Sequence, residues 1–211
     1  MREEYSAAGI NDGVLPSEPF GLWAEWLQVA TAAGIAEPNA MVLASVAPAQ
    51  NMLPAQPSTR TVLCKGFGRK GFEFYTNYRS RKSEELTASG AVAATFPWHG
   101  LGRQVNIAGR VAKTTSSESD HYWSLRERGS QIGAWASMQS EQLDSYEELE
   151  KRYRHFDDLY PGKVPRPSHW GGWRISPTSI EFWQGRRNRL HDRIVYRQIG
   201  VGRWEKFRLS P

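Results

Sequence analysis

Apolar residues recur along this chain with two spacings. Between Phe20 and Gly34 the spacing is helical: Leu22, Trp23, Trp26, Leu27 and Ala30 fall on one face, and Gly34 suits the stop. Beyond it the pattern shortens to compact apolar runs and alternations. Strands are predicted at 41–47, 58–66 and 71–77, the last two as a hairpin turning through residues 67–70. A short helix is predicted to open near Ser80, followed by strands at 91–98 and 103–113. Ser117 with Asp120, and Ser145 with Glu148, have capping-box spacing and predict two helices. The tail returns to strands at 170–176, 179–185, 188–197 and 203–210.

Strands dominate, no βαβ alternation occurs, and the short connections favour antiparallel pairing. The predicted fold is mainly β with peripheral helices, a small closed barrel that leaves no open sheet edge. Residues 1–18, interrupted by Gly9, Gly13 and Pro16, are expected to form a mobile segment, and residues 19–211 a single domain.

Composition narrows the function classes. The 211 residues, 39% hydrophobic and 12% aromatic, suffice for one packed core. The single cysteine, Cys64, excludes an intrachain disulfide and reads as a small buried hydrophobe; no Cys/His zinc spacing is present, so no metal is expected. The polar N-terminus and the lack of a long apolar run predict a cytoplasmic protein with no membrane partner. The net charge of +5 favours anionic ligands. Basic residues are dispersed among strands rather than gathered in one run, which argues against nucleic acid. Neither G-x-G-x-x-G nor a P-loop is present, so any phosphate must be held by side chains. The nine tryptophans suit a core or a subunit interface before a ligand platform.

Four segments carry candidate chemistry. In R-L-H-D-R (189–193), strand alternation puts Arg189, His191 and Arg193 on one face and Asp192 on the other. Such a face either binds an anion or is a charged edge that blocks aggregation. In R-T-V-L-C-K (60–65), the same alternation sends Arg60 and Lys65 to different sides, which suits two phosphates better than one. Tyr122, Arg126 and Ser130 follow helical spacing and offer a phenol, a guanidinium and a hydroxyl to a phosphate monoester. Arg79, Arg81 and Lys82 cluster at a predicted helix start, where backbone N–H groups also favour anions. Each segment alone reads first as a solvated charged surface.

Their order along the chain is more specific. R-T-V-L-C-K, F-Y-T-N-Y-x-S-R-K, F-P-W…R-Q-V, S-Q-I-G-A-W-A-S-x-Q-S, V-P-R-P-x-x-W-G-G, I-E-F-W-Q-G, R-L-H-D-R and a closing R-L-S-P together resemble the pyridoxamine 5'-phosphate oxidase family over about residues 20–211. The resemblance implies an FMN-binding split β-barrel of antiparallel Greek-key type, and a homodimer with two FMN molecules at its subunit interface. It implies oxidation of pyridoxamine or pyridoxine 5'-phosphate to pyridoxal 5'-phosphate, with O2 as acceptor and H2O2 as product.

Carried over residue by residue, the resemblance assigns FMN contacts to Arg60, Val62, Leu63, Lys65, Tyr75, Thr76, Arg81, Lys82, Gln104, Gln139, Ser140, Trp183 and Arg193. Substrate contacts fall on Lys65, Tyr122, Arg126, Ser130, Arg189 and His191, with Arg2 and Tyr5 as an N-terminal lid. The catalytic pair is Arg193 and His191. Two departures stand out: Cys64 occupies a position that is usually aliphatic in the family, and Glu3 replaces a basic residue of the lid. A carrier of FMN or pyridoxal 5'-phosphate on the same fold is the competing reading, although carriage needs no cationic pair beside a reacting carbon. A reductase with another flavin-like cofactor would leave the substrate-phosphate cluster unexplained.

Overall fold

One long strand organises the molecule. In this computed structural model, which describes residues 9–49 and 53–211, strand β7 (Trp170–Gln184) serves two parts of the sheet. Its first half pairs with β4 (Gly71–Asn77), from Trp170↔Asn77 to Ile175↔Phe72. Its second half pairs with β8 (Asp192–Gly200), from Ser179↔Arg197 to Gln184↔Asp192. The handover falls at Pro177, which has no N–H to give to a neighbour. Strand β6 (Arg103–Lys113) runs along the other edge of β7, with a bulge where Ala108 faces Ser179 and Gly109 faces Pro177. Predicted as two strands, 170–176 and 179–185 are therefore one strand at which the sheet splits.

The remaining strands are β1 (Ala40–Ala47), β2 (Gln56–Leu63), β3 (Gly66–Gly68), β5 (Ala91–Trp98) and β9 (Arg203–Arg208). The order is β2-β1-β5-β6-β7-β4-β3, with β8 and β9 branching from β7, and every pairing is antiparallel. The predicted hairpin is revised: β2 pairs with β1, and β4 makes its tight turn with the short β3 instead.

Helix α1 (Pro19–Ala32) starts on a proline whose missing N–H is not needed there, and Gly34 turns left-handed just past its end. Its Leu22, Trp23, Trp26 and Ala30 are buried, as predicted for its apolar face, against Phe72, Phe96, Trp98 and Phe182. Helix α2 (Arg81–Ser89) packs on β1. Helices α3 (Ser116–Ser124), α4 (Arg128–Ala136) and α5 (Tyr146–Leu159) enclose a second apolar cluster of Trp123, Ile132, Val164 and Trp170. Six of the nine tryptophans are buried, which places most of them in cores.

Two further expectations are corrected. The first capping box is Thr115 with Glu118, not Ser117 with Asp120: each side chain bonds the other's backbone N–H. Ser145 caps α5 as predicted, accepting from Glu148 N. Residues 188–191 are not strand. Asn188 and Arg189 have φ of 56° and 60°, which breaks the alternation before β8 begins at Asp192. Residues 9–16 make contacts with the sheet: Ile10 N donates to Asp192, Tyr196 Oη to Pro16 O, and Lys206 Nζ to Leu15 O. Arg2 and Tyr5, and with them the predicted lid, lie outside the described residues. No described helix is long and apolar enough to cross a membrane.

The split depends on a close approach at Gly109. A Cβ there would lie 2.3 Å from Ser176 O and 2.8 Å from Pro177 Cα, both backbone atoms with little room to yield. Gly109→Ala is expected to destabilise the fold by about 1–3 kcal/mol through overpacking. Thermal unfolding checks this; for a chain of this size each kcal/mol lowers Tm by roughly 2–4 °C.

Candidate active site

A cavity of about 490 Å³ opens between the end of β2, strand β4, the start of α2 and the α3–α4 region. Arg60, Thr61, Val62 and Leu63 of β2 form one wall, and Lys65 lies just past that strand. Tyr75 and Thr76 come from β4, Arg81 and Lys82 from the first turn of α2, and Tyr122 from α3. Arg126, Gln139 and Ser140 complete the lining. Arg60 and Lys65, expected on different sides, thus line one cavity, because strand alternation ends at Leu63. Ser140 holds φ at 77°, a conformation a serine rarely adopts, and Gln139 beside it accepts from Thr76 Oγ1 at 3.1 Å. Arg79 is exposed and does not line the cavity.

The electrostatics at the α2 end are unusual. Lys82 is only 7% exposed, and its Nζ donates to Thr76 Oγ1 and Ser80 Oγ at 3.1 and 3.2 Å. Both partners are neutral. Burial, reinforced by the Arg60 guanidinium, pushes its pKa down to about 8. A buried cation beside a second cation is costly unless an anion compensates it. The carboxylate that is present, Glu85, serves Arg81 at 2.8 Å and Arg60 at 3.5 Å instead.

The other end of the cavity is aromatic and cationic. Tyr75 and Tyr122 stack at 3.9 Å and 19°, with Trp170 nearly parallel to both. The Arg126 guanidinium lies 4.7 Å from the Trp170 ring centroid, and its Nε is buried with no hydrogen-bond partner among the described residues. Burial, with Glu73 nearby, raises the Tyr75 phenol to about 12, so it stays protonated. Arg174 of β7 holds Glu73 of β4 and Glu118 of α3, both at 2.6 Å, which fastens α3 to the sheet.

Tyr122, Arg126 and Ser130 do not share one helix, as the spacing predicted. Helix α3 ends at Ser124 and α4 begins at Arg128, leaving Arg126 in the link. They still converge: Arg126 donates to Ser130 O at 3.0 Å, and both line an adjoining hollow of about 280 Å³. A larger cavity of about 820 Å³ lies on another side of Arg126. Two of its arginines are paired with carboxylates, Arg128 with Asp157 and Arg166 with Asp120, which also lines it.

The other predicted residues gather outside this cavity. Gln104, Trp183 and Arg193 stand side by side across β6, β7 and β8. Arg193 grips Glu181 with Nε at 2.8 Å and Nη2 at 3.0 Å, and donates from Nη1 to Ser210 O. The His191 ring lies 4.6 Å from that of Trp183, and its Nδ1 accepts from Arg186 N at 3.0 Å. Asp192 faces the other way, buried between Arg208, Arg186 and Ile10 N, so the predicted opposition of Asp192 and Arg193 holds. Arg189 does not: it sits in the exposed turn before β8 and shares no strand face with Arg193.

Sequence reasoning missed Thr61, Glu85, Ser45, Ser58 and Glu181. Only the i,i+4 spacing of Arg81 and Glu85 was readable in advance. Cys64 is buried, and burial raises its thiol to about 11, consistent with a packing role.

An antiparallel split barrel with a cation-lined cavity between sheet and helices is the class of protein this geometry defines. Residues 27–160 match the family described as pyridoxamine 5'-phosphate oxidase, and residues 170–211 match the pyridoxine 5'-phosphate oxidase C-terminal dimerisation region. The chain belongs to the pyridoxamine 5'-phosphate oxidase family. It is 49% identical to the pyridoxine/pyridoxamine 5'-phosphate oxidase of Rubrobacter xylanophilus, covering 100% of this chain and 95% of that protein. The Trichormus variabilis protein of the same name is 45% identical, covering 100% and 97%. Among solved structures, PhzG from Burkholderia lata, in complex with tetrahydrophenazine-1-carboxylic acid, superposes with a TM-score of 0.89 at 30% identity, covering 99% of this chain and 100% of that one.

Proposed function

We propose that this chain is an FMN-dependent oxidase that converts pyridoxamine 5'-phosphate and pyridoxine 5'-phosphate to pyridoxal 5'-phosphate. The observation that carries the reading is Lys82, a buried cation with no carboxylate partner among the described residues, beside Arg60 and in a cavity that has further cations at its other end. Such a site fits two phosphates. Arg60, Arg81, Lys82 and Ser140 would hold that of FMN, and Lys65, Tyr122, Arg126 and Ser130 that of the substrate.

FMN, held through its phosphate by Arg60, Arg81, Lys82 and Ser140, would supply the hydride acceptor and the route by which the two electrons reach O2 as H2O2, with water releasing ammonia where the substrate is the amine. The protein's own groups position and polarise. Tyr75 stays protonated, its hydroxyl donating to Glu73 at 3.4 Å, and contributes its ring to the aromatic wall. Arg126 fixes the substrate phosphate, and with it the distance of the ring from the cradle. Arg193, oriented by Glu181, directs its remaining N–H groups at the substrate's amine or alcohol. His191, held through Nδ1, addresses the ring hydroxyl or the departing proton.

Gln104, Trp183, His191 and Arg193 do not line the cavity of their own chain. We infer a homodimer in which this cluster faces the partner's cavity. All but Gln104 lie in the stretch that matches the family's dimerisation region. Sedimentation at assay concentration is expected to show a dimer, and an active monomer would overturn the arrangement. The purified protein is expected to be yellow, to release FMN on denaturation, and to form peroxide with pyridoxamine 5'-phosphate. Release of FAD instead, or oxidation only of a phosphate-free ring acid such as that bound to PhzG, would refute the assignment.

Lys82 also sets a pH dependence. Its pKa of about 8 in the free protein must rise when a phosphate dianion binds, so binding takes up a proton above that value. FMN affinity is expected to be level between about pH 7 and 8 and to fall as pH rises further, by up to about tenfold per unit. Lys82→Arg, whose charge does not titrate there, should flatten the fall when Kd is measured across the range.

A further inference from the structure

Beneath the cationic end of the cavity lies a carboxylate with four donors. Glu85 is 5% exposed on the sheet-facing side of α2. It reaches two neighbouring strands at a cross-strand pair, Ser45 of β1 opposite Ser58 of β2, and accepts from both hydroxyls at 2.6 Å. Its Oε1 takes Arg81 Nε at 2.8 Å, and its Oε2 takes Arg60 Nη2 at 3.5 Å. Ser45 and Ser58 also accept from Arg60, so carboxylate, hydroxyls and guanidinium form one closed network. Burial alone would raise the carboxyl's pKa, but the bonds from Ser45, Ser58 and Arg81 bring it to about 2. It is therefore ionised throughout the working range.

The consequence for Arg81 is geometric. With Nε fixed to Glu85, the guanidinium plane is set, and its two terminal nitrogens are left on a side chain that is 60% exposed at the cavity edge. The consequence for the site is also one of charge. Arg60, Arg81 and Lys82 offset by one carboxylate leave two positive charges, which matches a phosphate monoester dianion.

We propose that Glu85 is a positioning residue for the phosphate cradle, which holds Arg60 and Arg81 in register so that the site selects flavin bearing a terminal phosphate. It acts through the arginines and touches no ligand itself. The inference rests on the reading of this cradle as the FMN phosphate site. Without Glu85 the three cations repel one another, and the arginines lose their fixed planes.

The test uses the full chain stripped of flavin, with FMN and riboflavin as probes and fluorescence quenching as readout. Wild type is expected to bind FMN far more tightly than riboflavin. Glu85→Gln, nearly isosteric, should weaken FMN at least tenfold and leave riboflavin within about twofold. In an Arg81→Ala background the same change should cost much less, because the two residues act as a unit. Ser58→Ala, which removes one donor shared by Glu85 and Arg60, should move the FMN-to-riboflavin ratio the same way by a few-fold, and it serves if Glu85→Gln does not fold. An unchanged ratio in both variants, tighter FMN binding, equal losses for both flavins, or full additivity with Arg81→Ala would overturn the proposal. Wild type that does not distinguish the two flavins would instead refute the phosphate reading of the cradle.

Discussion

Replacing Arg193 with lysine is expected to slow flavin reduction on the order of 100-fold or more while leaving FMN content and stability near wild type. Lysine keeps the positive charge, so a purely electrostatic role would survive the change. The geometry would not. Arg193 holds both oxygens of Glu181 through two parallel N–H bonds, and Ser210 O through a third. That grip fixes the guanidinium plane and aims its remaining donors, which an ammonium on a flexible stem cannot reproduce. A contact made mainly in the transition state appears in kcat, and a single-turnover anaerobic experiment reads it directly. Glu181→Gln should follow in the same direction but less severely, since the amide keeps one acceptor. Asp192→Asn should behave differently: it loosens the contacts with Arg208, Arg186 and Ile10 N and lowers Tm before it touches the reduction rate. A wild-type reduction rate in Arg193→Lys alongside a crippled Asp192→Asn would reverse the assignment of the two faces of β8.

Arg126→Ala is expected to raise KM for the phosphorylated substrate roughly 30-fold, the equivalent of about 2 kcal/mol for a lost charge-assisted bond. FMN content should not change. Arg126 lies at the aromatic end of the cavity, against Trp170 and Ser130, away from the Glu85 network that organises Arg60 and Arg81. Its Nε, buried and with no hydrogen-bond partner among the described residues, is a donor held in place beside the cavity. Loss of FMN with an unchanged KM would mean that the two phosphate positions are exchanged.

Much of the fold was legible because its strands are long and well patterned. The runs at 41–47, 71–77, 91–98 and 103–113 all lie within or on strands, and α1 buries the face its spacing specifies. What failed were boundaries set by tertiary contacts. The apolar pattern gave separate strands at 170–176 and 179–185, yet β6 spans Pro177 through a bulge, so β7 continues. Tyr122, Arg126 and Ser130 keep helical spacing across a link that is not helical. R-L-H-D-R alternates on paper, but left-handed Asn188 and Arg189 place the first half of the motif in a turn. The cavity residues were legible as motifs, whereas Glu85 and Glu181 were not. Spacing offers Glu85 only as an i,i+4 partner of Arg81; its burial against Ser45 and Ser58, and the pairing of Glu181 with Arg193 across β7 and β8, are set by tertiary contacts.

The most direct test mixes the protein, loaded with FMN and free of oxygen, with a slight excess of pyridoxamine 5'-phosphate and follows flavin absorbance together with product. The flavin is expected to bleach with one pyridoxal 5'-phosphate formed per flavin, admitted O2 to restore the yellow form with one H2O2, and unphosphorylated pyridoxamine to react far more slowly. An unbleached flavin, or equal rates with and without the substrate phosphate, would contradict the proposed reaction.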